Sequence, residues 1–301
     1  MKTNKIEIYG LKIIREIDRS TDLAKLIVES ANEQANGINE NDVIVITGKI
    51  VSKVEGRQHK LEEITPSKKA LGLSKWYGIP PEEMELYLRT GKVAVVIPIG
   101  SLAKRYGQLF KQHRIDEKVA EKVIEADPYM FLIDVGGQFL TWGGIDFSNS
   151  PAGYYTAPPL NPDESAGRIR EEVGKLTGKD IAVIIADIEV KIDKFGTMDI
   201  AIGSSGIQPV SREFASPDLF GKPKFGGVDD VTDLCTASAN LLFGQTSAGS
   251  PVAIIRGLSY EKSERGIKDV AGPGNIVRDA IRATIWETIK FGFLSRLASI
   301  L

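Results

Sequence analysis

Two apolar runs decide the architecture of this chain: Val43-Ile44-Val45-Ile46 and Ile181-Ala182-Val183-Ile184-Ile185-Ala186. Neither shows the apolar–polar alternation of a strand with one wet face. Continuous runs of this length, rich in β-branched residues, read as strands buried on both sides, and such a sheet needs helices over both faces. The second run ends on Asp187. Another lone aspartate, Asp146, sits in Gly143-Gly144-Ile145-Asp146-Phe147-Ser148-Asn149. Each is expected where a strand gives way to a loop, the place where α/β proteins build ligand sites. An ordinary turn aspartate is the competing reading for either one alone.

The rest of the composition narrows the chemistry. Forty acidic residues against 38 basic ones leave a formal charge of -2, so there is no electrostatic footprint for nucleic acid. Cys235 is the only cysteine, and His59 and His113 are the only histidines. That excludes a Cys/His zinc site and an intrachain disulfide, and leaves carboxylates to hold a hard cation. The amino-terminal residues lack the apolar core of a signal peptide, and no uncharged run reaches membrane-spanning length. A cytoplasmic protein without membrane partners is the expectation.

Helical and strand patterns alternate throughout. Ser20 to Asn36 reads as a helix with Leu23, Leu26, Ile27 and Ala31 on one face. Short helices are expected from Ser67 and Pro80, and longer ones over Asp116–Ala126, Pro162–Leu176, Asp229–Gly244 and Asn275–Ile300. Strands are expected around Ile6–Leu11, Asp42–Thr47, Val93–Ile97, Tyr129–Val135, Gln138–Trp142, Ile181–Asp187, Ile200–Gly203 and Val252–Arg256. Several are joined by connections too short for a crossover helix, which disfavours a doubly wound parallel sheet. The fold class is therefore mixed α/β (α+β) with more than one sheet. Residues 1–260 read as one domain carrying an insertion at 98–127, and 261–301 as a helical segment packed on it. The insertion, with Lys104, Arg105, Tyr106, Lys111 and Arg114, reads either as a closure over an anionic ligand or as a solvated basic loop.

Several blocks resemble the coenzyme F-420:L-glutamate γ-ligase family. They are Asp42 to Ile46 continuing to Val51-Ser52-Lys53-Val54-Glu55-Gly56-Arg57, then Gly144 to Asn149, then Pro158-Pro159-Leu160-Asn161-Pro162-Asp163-Glu164-Ser165-Ala166. A last block, Ala239-Asn240-Leu241-Leu242-Phe243-Gly244, leads to Pro251 through Leu258. The resemblance implies that family's fold with more than one sheet, in an intertwined homodimer. It implies a GTP-dependent enzyme, served by Mg²⁺ or Mn²⁺ with room for a monovalent cation, that adds L-glutamate to a carboxylate-bearing cofactor of deazaflavin or folate-like type. A carboxylate does not react with an amine at neutral pH, so an acyl phosphate is implied, and phosphoryl transfer calls for positive charge at the moving oxygens. By the same resemblance Asp146 and Asp187 are catalytic and hold the metal, joined by Gln245. Gly10, Leu11, Gly48, Lys49, Lys53 and Asn149 contact the nucleotide, while Lys191 and Lys194 face the acceptor.

The departures point elsewhere. Gln245 stands where the family has an acid, Ile188 where it has a ligating hydroxyl, and Asp199 adds charge at a position that is usually small or neutral. Lys191 and Lys194 replace arginines and cannot reproduce a bidentate grip. A relative without catalysis that binds a nucleotide or anion, or serves in assembly, is the alternative these changes favour.

Overall fold

The computed structural model describes residues 5–107, 116–191, 196–244, 248–272 and 276–298. The chain forms two compact bodies, one from residues 1–64 and 144–270, the other from 65–143 and 271–301.

The first body is built on a five-stranded sheet. Its strands are β1 (Glu7–Leu11), β2 (Val43–Thr47), β8 (Ala182–Val190), β9 (Thr197–Ser205) and β10 (Val252–Arg256), in the order β1-β10-β2-β8-β9. Only β2 and β8 run parallel, with Val43 beside Ala182 and Thr47 beside Ala186; the other pairs are antiparallel. The two apolar runs of the sequence are thus neighbours at the centre of the sheet. Both alternating sets are buried: Val43, Val45, Ala182, Ile184, Ala253 and Ile255 join Cys235, Ala239 and Phe243 in one core. Ile44, Ile46, Val183, Ile185 and Ile254 alternate with them and are fully shielded. Period-two geometry places these on the opposite face, so the sheet is covered on both sides.

Helices supply the cover. Among them are α1 (Leu23–Gln34), α2 (Gly48–Val54), α7 (Pro162–Thr177) and α8 (Val231–Phe243). Helix α8 packs on the sheet through β9 and β10, α7 on β9 and β8, and α1 on α7. Asp22 caps α1 by accepting the Lys25 N–H, and Asp230 caps α8 by accepting that of Asp233. A small second sheet pairs β3 (Gln58–Lys60) with β7 (Tyr154–Thr156). Where β2 begins and β10 finishes, the carboxylate of Asp42 is buried against Arg256, with Oδ2 2.7 Å from Nη2, and the guanidinium also donates to the carbonyls of Ala35 and Gly37.

Two irregularities matter below. The pairing of β8 with β9 slips, because Ile185 faces Gly203 whereas Ala186 faces Ala201, which leaves Ile202 as a surplus residue. Strand β8 also continues past Asp187 to Val190, pairing Ile188 with Asp199 and Val190 with Thr197. The expectation that Asp187 ends its strand is therefore corrected. Ile188 and Val190 are β-branched, and β9 extends far enough to pair with them.

The second body contains an antiparallel sheet of β4 (Lys92–Ile97), β5 (Met130–Val135) and β6 (Gln138–Thr141). Gly136 and Gly137 form the two-residue turn between β5 and β6 with φ of 63° and 96°. Positive φ at both central positions is the geometry that matches strand twist in such hairpins, and glycine adopts it without strain. Helices α3 (Lys68–Tyr77), α4 (Pro81–Thr90), α5 (Ile99–Arg105), α6 (Glu117–Ala126) and α9 (Ile276–Ala298) belong to this body. No described helix is long and apolar enough to cross a membrane.

Candidate active site

A cleft of about 490 Å³ opens in the first body, and its walls come from segments far apart in sequence. The parallel β2–β8 pair sets its position. With Thr47 level with Ala186, the start of α2 and the residues Asp187 and Ile188 emerge at the same edge. Gly48 makes that closeness workable, since a Cβ there would lie 3.2 Å from the Ala186 carbonyl oxygen and 3.3 Å from Ile202.

One wall is the loop carrying Asp146. The loop is fixed by two backbone hydrogen bonds between Asp146 and Thr156, 3.0 and 2.8 Å long. Asp146 Oδ1 accepts the Ser148 N–H at 2.6 Å, an Asx-type turn that shapes the loop locally. Lys49 and Lys53 stand four residues apart on α2 and share a helix face. Lys49 Nζ lies 2.7 Å from Asp146 Oδ2 and donates to Ser148 Oγ at 2.7 Å; Lys53 Nζ donates to the Asn149 carbonyl oxygen at 2.9 Å.

The facing wall is acidic. Asp187, half-buried, has its carboxyl pushed up to about 8, chiefly by burial and further by the charges of Glu189, Asp146 and Asp199, against the pull of the Ile188 N–H on its Oδ1. Asp146 and Asp187 both line this cleft. Asp199 is 2% exposed, accepts a hydrogen bond from the Asn240 side-chain amide on α8, and is raised to about 6 by burial. Both Asp199 and Asn240 line the cleft.

The structure therefore brings together Asp146, Asp187, Gly48, Lys49, Lys53 and Asn149. It does not bring Gly10 and Leu11 to the cleft wall: both lie within β1, paired with Ala253 and Val252, and Leu11 is fully buried. The segment just after β1, from Ile13 to Ile17, lines the cleft instead. Lys191 follows β8, is exposed, and donates its N–H to the Gly196 carbonyl outside the cleft lining. Lys194 and Gln245 lie outside the described residues. Sequence reasoning missed Ser148 as a lysine partner, the Asp199–Asn240 pair as a wall of the cleft, and Lys49 as the direct counter-ion of Asp146. No helix is legible over these seven residues, so the four-residue spacing of Lys49 and Lys53 gave no signal of a shared face.

The donor set bears on a cation. Among the described residues no three His, Cys, Asp or Glu side chains converge as a self-sufficient metal cage. Two carboxylates that line one cleft, one of them raised by burial and by acidic neighbours, suit a hard divalent ion better than a soft one.

These features define a class, a mixed α/β protein whose strand-borne and loop-borne carboxylates meet lysines at one open cleft. The chain belongs to the F420-0:Gamma-glutamyl ligase family, which it matches over residues 11–257. It is similar to the coenzyme F420:L-glutamate ligase of Methanosarcina mazei, at 32% identity over 285 residues, 94% of this chain and 98% of that protein. The Methanosarcina acetivorans enzyme of the same name is 34% identical over 260 residues, 86% of this chain and 88% of the relative. That of Archaeoglobus fulgidus is 31% identical over 259 residues, 86% and 89% of the two chains.

Proposed function

We propose that this chain is a GTP- and divalent-metal-dependent ligase that forms an amide between L-glutamate and a carboxylate on a deazaflavin-type cofactor. One observation carries the reading. Asp146 and Asp187, 41 residues apart, meet at a cleft that Lys49 and Lys53 also line. Membership of the family supports the ligase class, and the relatives, coenzyme F420:L-glutamate ligases, suggest glutamate and the cofactor.

In this reading Asp146 and Asp187 hold the cation, which supplies charge neutralisation at phosphate oxygens when bound. Lys53, with its compact charge, binds a phosphate oxygen, and the Asn149 loop orients the nucleotide. The cofactor carboxylate attacks the γ-phosphorus of GTP, the bond to the β-phosphate oxygen breaks, and GDP leaves. The amine of L-glutamate then attacks the acyl carbon of the acyl phosphate. Phosphate leaves with the bonding pair, and the amine loses a proton. Water must be kept from the acyl phosphate, and the apolar part of the cleft lining (Ile13, Ile17, Ile202, Phe243) suits that task.

The test is phosphate release together with mass spectrometry of the cofactor. Release that requires both glutamate and acceptor, with product heavier by a glutamyl unit, supports the ligase. A second reading, binding without catalysis, is favoured by the Lys49–Asp146 ion pair and by exposed Ile188 at the cleft, where a hydroxyl would serve a cation better. Nucleotide binding with no turnover of any deazaflavin or folate-like acceptor decides for it.

A further inference from the structure

Lys49 occupies a position that two ligands of the cleft contest. Its ammonium is 2.7 Å from Asp146 Oδ2 and 2.7 Å from Ser148 Oγ, while Asp146 Oδ1 takes the Ser148 N–H. Each carboxylate oxygen of Asp146 is thus engaged by a donor of the chain itself. The pair is partly shielded, the side chains being 22% and 35% exposed, so its electrostatics are weakened less by solvent than those of a surface ion pair. Lys53, one turn further along α2, holds the backbone of the same loop and makes no contact with the carboxylate. The two lysines therefore have different tasks.

We propose that Lys49 is a positioning residue that couples cation to nucleotide: it holds Asp146 while no cation is bound and passes to a phosphate oxygen when a divalent cation takes the carboxylate. The inference rests on the metal-dependent reading above. A divalent cation and an ammonium on one carboxylate repel strongly in a partly shielded site. Lys49 must then leave Asp146 or find an anion that offsets the repulsion. The triphosphate of the nucleotide is such an anion, and the flexible stem of lysine can carry the charge to it. The coupling is reciprocal, because whatever the nucleotide adds to cation affinity the cation must add to nucleotide affinity. An ion pair that looks like an obstacle to metal binding becomes the reason that cation and GTP bind together.

The experiment titrates the full chain with Mn²⁺, following free Mn²⁺ by electron paramagnetic resonance, with and without GTP. For the wild-type chain we expect weak binding of Mn²⁺ alone and affinity about tenfold higher with GTP. Lys49→Met removes the competitor, so Mn²⁺ alone should bind about tenfold more tightly than to wild type, while the effect of GTP shrinks to about twofold or less. Lys49→Arg keeps a cation beside Asp146 and should leave the weak binding of Mn²⁺ alone unchanged. Lys49→Met with unchanged or weaker affinity for Mn²⁺ alone, or with the full effect of GTP retained, overturns the proposal. Asp146→Asn separates the two levels. If Asp146→Asn loses Mn²⁺ while Lys49→Met behaves as wild type, only the coupling fails. If Asp146→Asn binds Mn²⁺ like wild type, the metal reading of the cleft fails and the coupling with it.

Discussion

Buried carboxyl groups occur in both bodies, and they differ in what surrounds them. In the first body Asp187 and Asp199 are raised by burial at a cleft whose opposite wall carries Lys49 and Lys53. In the second body Glu83, on α4, is raised to about 7 by burial and by the charges of Asp127 and Glu82, and Asp127 is itself raised by burial. Neither of these lines the cleft. A shifted carboxyl alone therefore does not mark a site. What distinguishes the first group is convergence: acids from separate segments face one open space together with movable cations. The Asp42–Arg256 pair completes the series, since there the cation is built in and nothing remains to bind.

This contrast can be broken at its strongest point first. Arg256→Met strands the buried carboxylate of Asp42 and the carbonyls of Ala35 and Gly37, and should lower unfolding free energy by about 3–5 kcal/mol in urea titration. No loss beyond about 1 kcal/mol would show that the built-in pair is no different from a surface one. Next come Asp146→Asn and Asp187→Asn, each expected to reduce glutamate-dependent phosphate release about 10²–10³-fold with the fold intact by circular dichroism. Glu83→Gln in the same assay should stay within about twofold of wild type; a comparable loss there would erase the distinction between the two bodies. Lys53→Ala should weaken GTP binding about tenfold by calorimetry, the worth of one charged hydrogen bond.

The smallest effect concerns pH. Glu83 moves from an ordinary value of 4.5 to about 7 in the folded chain, so the folded state holds a proton that the unfolded state has released between those values. Its contribution to stability is fully present below about pH 4.5, declines as pH rises, and is gone above about 7. Glu83→Gln should therefore flatten the fall in melting temperature across that window and leave Mn²⁺ affinity unchanged. A slope identical to wild type would place the titration on another group.

Much of the frame was legible in the sequence because burial on both faces leaves a direct record. The runs at Val43–Ile46 and Ile181–Ala186 could be nothing but central strands, and they are neighbours. The family resemblance was legible too, and the match over residues 11–257 bears it out. Less was recorded where geometry depends on partners. Helix α2 has seven residues, too few for a periodic pattern, so Lys49 and Lys53 were visible as charges but not as a pair gripping the Asp146 loop. Asp187 was read as a strand end because the apolar run stops there; the strand goes on because β9 is long enough to pair with it. Leu11 was assigned to the nucleotide by position; its side chain is fully buried at the end of β1, and the residues just after it, from Ile13 to Ile17, line the cleft.

The surplus Ile202 in β9 carries a consequence for the acid wall. Residues three apart on an uninterrupted strand point to opposite sides, yet Asp199 and Ile202 both reach the cleft. The extra residue absorbs that difference in phase. A chain shortened by that single isoleucine should keep Asp199 opposite Ile188 and Ala201 opposite Ala186, because those pairs do not involve the extra residue, and should lose only the Ile202 side chain from the cleft. Crystallography of such a deletion would show whether the acid wall keeps its place once its greasy neighbour is gone.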